Sequence, residues 1–220
     1  MNPPFNDFSD VEIDSQGNLD ASLGFVQPGI QQLSTISDSV VGGSVLAMTS
    51  SLSPDFVTSN GAIFAVLANG TLAEYDSLGN LVANPPFTAT SAVAVDSAGA
   101  VYLSTSIFGP DEILQLTTLS SVAFGGVAIA QTPFLATALL SADNSFYAAF
   151  ADGMLNRYDT NGNLLASVQT PGVVYTDLTF AGGELFASAA QTTAAPAPEP
   201  ASGGLLAAGL ALLSGKRKRS

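Results

Sequence analysis

Three observations predict an all-β fold built from repeated antiparallel strands. Short apolar runs are separated by Gly, Ser, Thr, Asn and Ala; Gly-Asn pairs recur just ahead of apolar residues; and one turn phrase is repeated along the chain. The 220 residues, 47% hydrophobic and 10% charged, suffice for one sizeable core plus a tail.

In chain order, residues 1–58 read as an irregular N-terminal region or a partial repeat, because only Asp14-Ser15-Gln16-Gly17-Asn18-Leu19 echoes the turn phrase there. Residues 59–190 carry the repeats. Tyr75-Asp76-Ser77-Leu78-Gly79-Asn80-Leu81 returns as Tyr158-Asp159-Thr160-Asn161-Gly162-Asn163-Leu164, each placing Gly-Asn where a hairpin needs positive φ. The apolar-aromatic pairs beginning at Ile63, Val101, Phe146 and Leu185 follow one another at 38, 45 and 39 residues. Such spacings suit four-stranded propeller blades better than the shorter repeats of solenoids. The pattern resembles the NHL and SMP-30-like β-propellers, in which an "Asp, turn, Gly, apolar, Tyr" hairpin is followed by "Tyr-Asp, turn, Gly". About four blades are expected, fewer than the six or seven of a complete ring in that group.

A change of composition marks the end of the body. Residues 191–197 read as an Ala/Pro linker that favours an extended, solvated chain. Pro198, Glu199 and Pro200 follow, then an uncharged run with Leu205, Leu206, Leu210, Leu212 and Leu213, and finally Lys216, Arg217, Lys218 and Arg219. An apolar helix over 201–215 ending in cations reads as a membrane anchor whose basic end stays cytoplasmic. About 14 residues at roughly 1.5 Å each reach about 21 Å, so the basic side chains must snorkel to match the bilayer. Residues 198–220 resemble the PEP-CTERM sorting signal of Gram-negative bacteria. That resemblance implies export, an inner-membrane anchor before processing, and exosortase as the partner that recognises Pro198, Glu199 and Pro200. It also implies a final location at the cell surface or outside the cell, associated with exopolysaccharide or biofilm. An exported chain should begin with a basic and then an apolar segment, which Met1-Asn2-Pro3-Pro4-Phe5-Asn6-Asp7 lacks. A reading frame that starts too late, or a truncated copy, is the expectation drawn from that departure.

Charge and missing residue types narrow the chemistry. Apart from the terminal cluster, Arg157 is the only Lys or Arg against 18 acids, a field that repels phosphates, so no nucleic-acid partner is expected. With no Cys and no His, thiol nucleophiles, serine triads and imidazole metal sites cannot be built. Asp159, Asn161 and Asn163 have the alternating oxygens of a calcium loop, but Thr170 stands where the bidentate Glu would be, and the same residues make a good hairpin turn. Asp96, Asp143 and Asp177 read as turn caps, Arg157 as a surface partner of nearby acids, and the aromatics as core. No inward set of metal-binding Glu, Asn and Asp side chains is apparent.

The expectation is therefore a non-catalytic surface or matrix protein without a cofactor, calcium being the ion its turn loop would take. The alternative is a metal-dependent propeller hydrolase or lactonase whose ligands lie on missing N-terminal blades.

Overall fold

The computed structural model describes residues 8–13, 17–23, 28–36 and 41–191. The expected sorting motif Pro198-Glu199-Pro200, the apolar run 201–215 and the basic cluster lie outside the described residues. Within them the chain forms eighteen strands and no helix.

Each group of four consecutive strands forms an antiparallel meander. Blade 1 is β1 (Phe8–Ile13), β2 (Leu19–Leu23), β3 (Gly29–Ile36) and β4 (Val41–Met48). Blade 2 is β5 (Asp55–Ser59), β6 (Ala62–Val66), β7 (Leu72–Tyr75) and β8 (Leu81–Ala83). Blade 3 is β9 (Thr90–Val95), β10 (Val101–Thr105), β11 (Glu112–Leu119) and β12 (Phe124–Gln131). Blade 4 is β13 (Ala136–Ala142), β14 (Ser145–Phe150), β15 (Met154–Asp159) and β16 (Leu164–Gln169). A fifth, two-stranded sheet joins β17 (Val173–Ala181) to β18 (Glu184–Gln191). The first strands β1, β5, β9, β13 and β17 touch in succession, so they are the inner strands of a four-bladed propeller that carries a partial fifth sheet. The stretch read from sequence as irregular or as a partial repeat thus contains a four-stranded blade, of which residues 14–16 lie outside the described residues.

Burial follows radial position. Strands β10 and β14 are buried at every residue, whereas the outer strand β16 alternates between exposed and half-buried. Burial on both faces explains why Val101–Leu103 and Phe146–Phe150 read as apolar runs rather than as alternating strands. Four hydrophobic cores fill the seams between neighbours: Ile30 and Ala47 meet Phe56 and Ile63; Val57 and Val66 meet Val93 and Leu103; Tyr102 and Ile113 meet Phe146 and Phe150; and Tyr147 and Leu155 meet Tyr175 and Leu178.

The turn phrase has one structure at three places. The Oδ1 atoms of Asp76, Asp96 and Asp159 each accept the backbone N–H groups two and four residues later, at 2.9 Å in every case. The fourth residue, Gly79, Gly99 or Gly162, has φ between 79° and 84°, where a side chain would be strained. Two of these glycines also lock blades together. A Cβ on Gly79 would lie 2.1 Å from the Leu46 carbonyl oxygen, and one on Gly162 would lie 1.8 Å from that of Ile129. Each turn therefore seats its glycine on the outer strand of the preceding blade.

These paired contacts expose a larger period. Leu46, Ile63, Tyr75 and Gly79 correspond to Ile129, Phe146, Tyr158 and Gly162, all 83 residues later. Blades 3 and 4 repeat blades 1 and 2 as a unit.

Candidate metal centre

The ladder registers identify one equivalent position on all five inner strands. Asp10, Ala92 and Asp177 lie opposite Ser22, Ser104 and Ser188, respectively. Asp55 pairs with Val66 and Ala138 with Ala149, one 83-residue unit apart. Hydrogen bonds between blades join the two series: Asp10 Oδ2 accepts the Phe56 N–H at 3.0 Å, and Asp55 Oδ2 accepts the Val93 N–H at 2.8 Å. In each case the donor follows the equivalent residue of the next blade. The inner position thus reads Asp10, Asp55, Ala92, Ala138 and Asp177 around the propeller.

Three carboxylates converge there. Asp10, Glu12 and Asp55 each place an oxygen within 4.8 Å of the other two. Glu12 joins because it lies two residues beyond Asp10, on the same face of β1. Backbone donors hold the set in place: besides the bonds between blades, Asp10 Oδ1 accepts the Val11 N–H at 2.9 Å, and Asp177 Oδ1 accepts that of Leu178 at 2.7 Å.

Bringing like charges into a partly buried space disfavours ionisation. Burial raises Asp10 to about 7 against the lowering effect of the Phe56 N–H, and the charge of Asp177 raises it further. Burial, then the charges of Asp10 and Asp177, raise Glu12 to about 8. Asp55 is raised well above the usual carboxylate range, first by burial and then by Asp10, and Asp177 is raised by burial. Among the described residues no cation relieves this repulsion. Arg157, the only Lys or Arg among the described residues, sits 3.9 Å from Asp143, donates to Ser145 Oγ at 3.0 Å and lies 5.5 Å from the Tyr147 ring centroid.

A cluster of carboxylate oxygens, hydrogen-bonded by N–H donors and lacking nitrogen or sulfur ligands, fits a hard divalent cation such as calcium, magnesium or manganese. Asp10, Glu12 and Asp55 are the residues that would hold it. The calcium-loop candidate has a different geometry. The Oδ1 of Asp159 is occupied by the Asn161 and Asn163 N–H groups, its Oδ2 accepts the Asn163 side-chain amide at 2.8 Å, and these bonds lower its pKa. Asp159, Asn161 and Asn163 are thus brought together as an exposed hairpin turn. Of the other acids read as turn caps, Asp96 and Asp143 stand in turns, whereas Asp177 lies within β17 at the inner position.

Sequence reasoning missed Asp10, Glu12 and Asp55. Aligning inner strands rather than turns would have found the signal, since Asp10, Asp55 and Asp177 each immediately precede an apolar residue early or midway in an inner strand.

No family profile matches the chain, and no curated protein sequence matches it. Solved structures match the fold. A gluconolactonase from Xanthomonas campestris superposes with a TM-score of 0.61 at 16% identity, covering 82% of this chain and 68% of its own. A luciferin-regenerating enzyme gives 0.61 at 13% identity, covering 82% and 69%. The computationally designed protein Ika8 gives 0.55 at 16% identity, with 83% of this chain matched to 55% of the designed one. The chain thus spans little more than half of the designed protein and just over two thirds of the two enzymes. Identity at this level shows a shared β-propeller fold, of the kind the sequence resemblance implied. It also corrects the expectation of a non-catalytic body. That expectation assumed no inward acidic set, yet the fold is one that solved enzymes use and the chain assembles such a set at Asp10, Glu12 and Asp55.

Proposed function

We propose that the propeller is a metal-dependent hydrolase acting on a small lactone or ester. The observation that carries this reading is the convergence of Asp10, Glu12 and Asp55 oxygens within 4.8 Å on neighbouring inner strands. The gluconolactonase and luciferin-regenerating enzyme with the same fold support it. A bound divalent ion would supply Lewis-acid polarisation of the carbonyl group. The chain's own contribution is to fix Asp10 through the Phe56 and Val11 N–H groups and Asp55 through that of Val93, and to keep the centre partly dry. Asp177, bonded through one oxygen to Leu178 N–H and raised in pKa, is the remaining carboxylate there to hold or release a proton. Hydrolysis adds water across the acyl C–O bond, with one proton going to the departing alkoxide.

The test measures proton release from glucono-δ-lactone with calcium, manganese or magnesium added, for the wild-type protein and Asp55→Asn. Metal-dependent turnover that disappears in the variant supports the assignment. Stoichiometric metal binding without turnover on any lactone or simple ester refutes it.

We further propose that this body is exported and sorted through its C-terminal segment. The ordered succession of Pro198-Glu199-Pro200, an uncharged run and Lys216-Arg217-Lys218-Arg219 favours that reading. In this reading exosortase is the partner, the run containing Leu205, Leu206, Leu210, Leu212 and Leu213 serves as the membrane anchor, and the processed protein resides among extracellular polysaccharide. Intact masses of the protein from cells with and without exosortase test this: a mass difference at the C-terminus supports it, and identical full-length masses overturn it.

A further inference from the structure

The two ends of the propeller differ in chemistry. Because every blade is a meander, the connections from second to third strand and from blade to blade share one end, and the turns of the first and last hairpins share the other. The hairpin end carries Asp143 and the acidic turns opened by Asp76, Asp96 and Asp159. Among the described residues of the crossover connections, Asp111 and Asp152 are the only charged ones. That end instead presents three phenylalanines from three separate connections: Phe87 is 38% exposed, Phe108 55% and Phe134 51%. Phe87 and Phe108 both meet the ring of Phe124, at 6.3 Å and 6.0 Å between centroids, so two of the three rest on the seam between blades 2 and 3. Pro86 and Pro133 directly precede Phe87 and Phe134 and stiffen the backbone that holds those rings outward.

The chain leaves the propeller at this same end. β18 is a second strand, like β10 and β14, and its last residue, Gln191, pairs with Val173 at the start of β17. Residues 192–200 then lead to the uncharged run 201–215. Nine residues of polyproline-like chain span at most about 28 Å. An anchor formed by that run therefore keeps the crossover end, rather than the acidic end, close to lipid.

We propose that the crossover end lies on the bilayer surface, with Phe87, Phe108 and Phe134 inserted at headgroup level. The inference rests on the reading of the C-terminal run as a membrane anchor. Apolar rings lower their free energy at the headgroup–acyl boundary, and three of them spread over separate connections fix the tilt of the body as one could not. The acidic turns then point away from anionic lipid, which would repel them.

Because the chain has no cysteine, one fluorophore can be attached at a time, at Thr88→Cys beside Phe87 or at Ser77→Cys in an acidic turn, both positions being exposed. The full-length protein with either probe is reconstituted into phosphatidylcholine vesicles containing a headgroup-nitroxide lipid and floated on a density gradient. The five- and six-residue inner strands β5 and β9 hold the two ends roughly 17–20 Å apart. Only one probe can then sit at headgroup depth, about 5–10 Å. Both proteins should float, with the Thr88 probe quenched several-fold more than the Ser77 probe. Phe87→Ser, Phe108→Ser and Phe134→Ser together should leave flotation intact and remove that excess. Failure to float overturns the anchor reading and this inference with it. Flotation with equal quenching of the two probes overturns this inference alone, as does an excess that survives the triple substitution.

Discussion

Raising the pH from 7 to 9 is expected to tighten calcium binding by about twentyfold, because the ion must displace protons that the apo centre retains. With Glu12 near 8 and Asp10 near 7, proton competition weakens binding about elevenfold and twofold, respectively, at pH 7, and scarcely at all at pH 9. Asp55, also raised by burial, adds to the dependence in the same direction. Isothermal titration calorimetry in two buffers of different ionisation heat reads both quantities, the affinity ratio and the protons released per ion. At pH 7 about one and a half protons should leave on binding, counting Glu12 and Asp10 alone. The argument is local: desolvation and mutual repulsion hold the protons, and the cation removes both causes. An affinity that is flat across this range, with no proton release, would refute it, because such a site cannot consist of carboxylates raised as these are.

Three further outcomes follow from named groups. The metal-free protein should lose stability as the pH rises from about 4 to 8: Asp10 and Glu12 have raised folded-state pKa values, so the native state binds more protons than the unfolded chain, and this contribution disappears on ionisation. Urea denaturation midpoints at pH 5, 7 and 9 check this, and added calcium should abolish the decline. Gly162→Ala should destabilise by about 2–4 kcal/mol, from the strain at positive φ and the displaced blade contact, lowering the melting midpoint by roughly 5–15 °C; an unchanged midpoint would count against that turn as a lock. Asp159→Ala should leave calcium affinity unchanged while Asp55→Asn removes it, as read by calorimetry, since the Asp159 oxygens already serve its turn.

How much of this was legible in the sequence depended on the distance over which each residue acts. The turns at Asp76 and Asp159 could be read because an Asp carboxylate, a positive-φ glycine and the next strand's first apolar residue fall within five positions. The blade spacing followed from those turns. Blade 1 escaped notice because its strands are joined by segments with only one partial copy of the phrase. The metal centre was not legible for a different reason. Asp10 and Asp55 meet through the order of blades and the register of separate strands, and the equivalent positions at Ala92 and Ala138 interrupt the pattern that would have revealed them. Asp177 was read as a turn cap because it falls near the blade position of Asp96 and Asp143, although its place within β17 sets its surroundings.

The two-blade period has a consequence for how such a chain changes size. The face that blade 2 turns toward β9 is the same kind of surface that blade 4 turns toward β17, so each 83-residue unit begins and ends on matching docking surfaces. Whole units can then act as interchangeable cassettes: duplicating or excising one leaves every remaining seam with a partner it already fits. Growth by any other increment would have to invent a new seam.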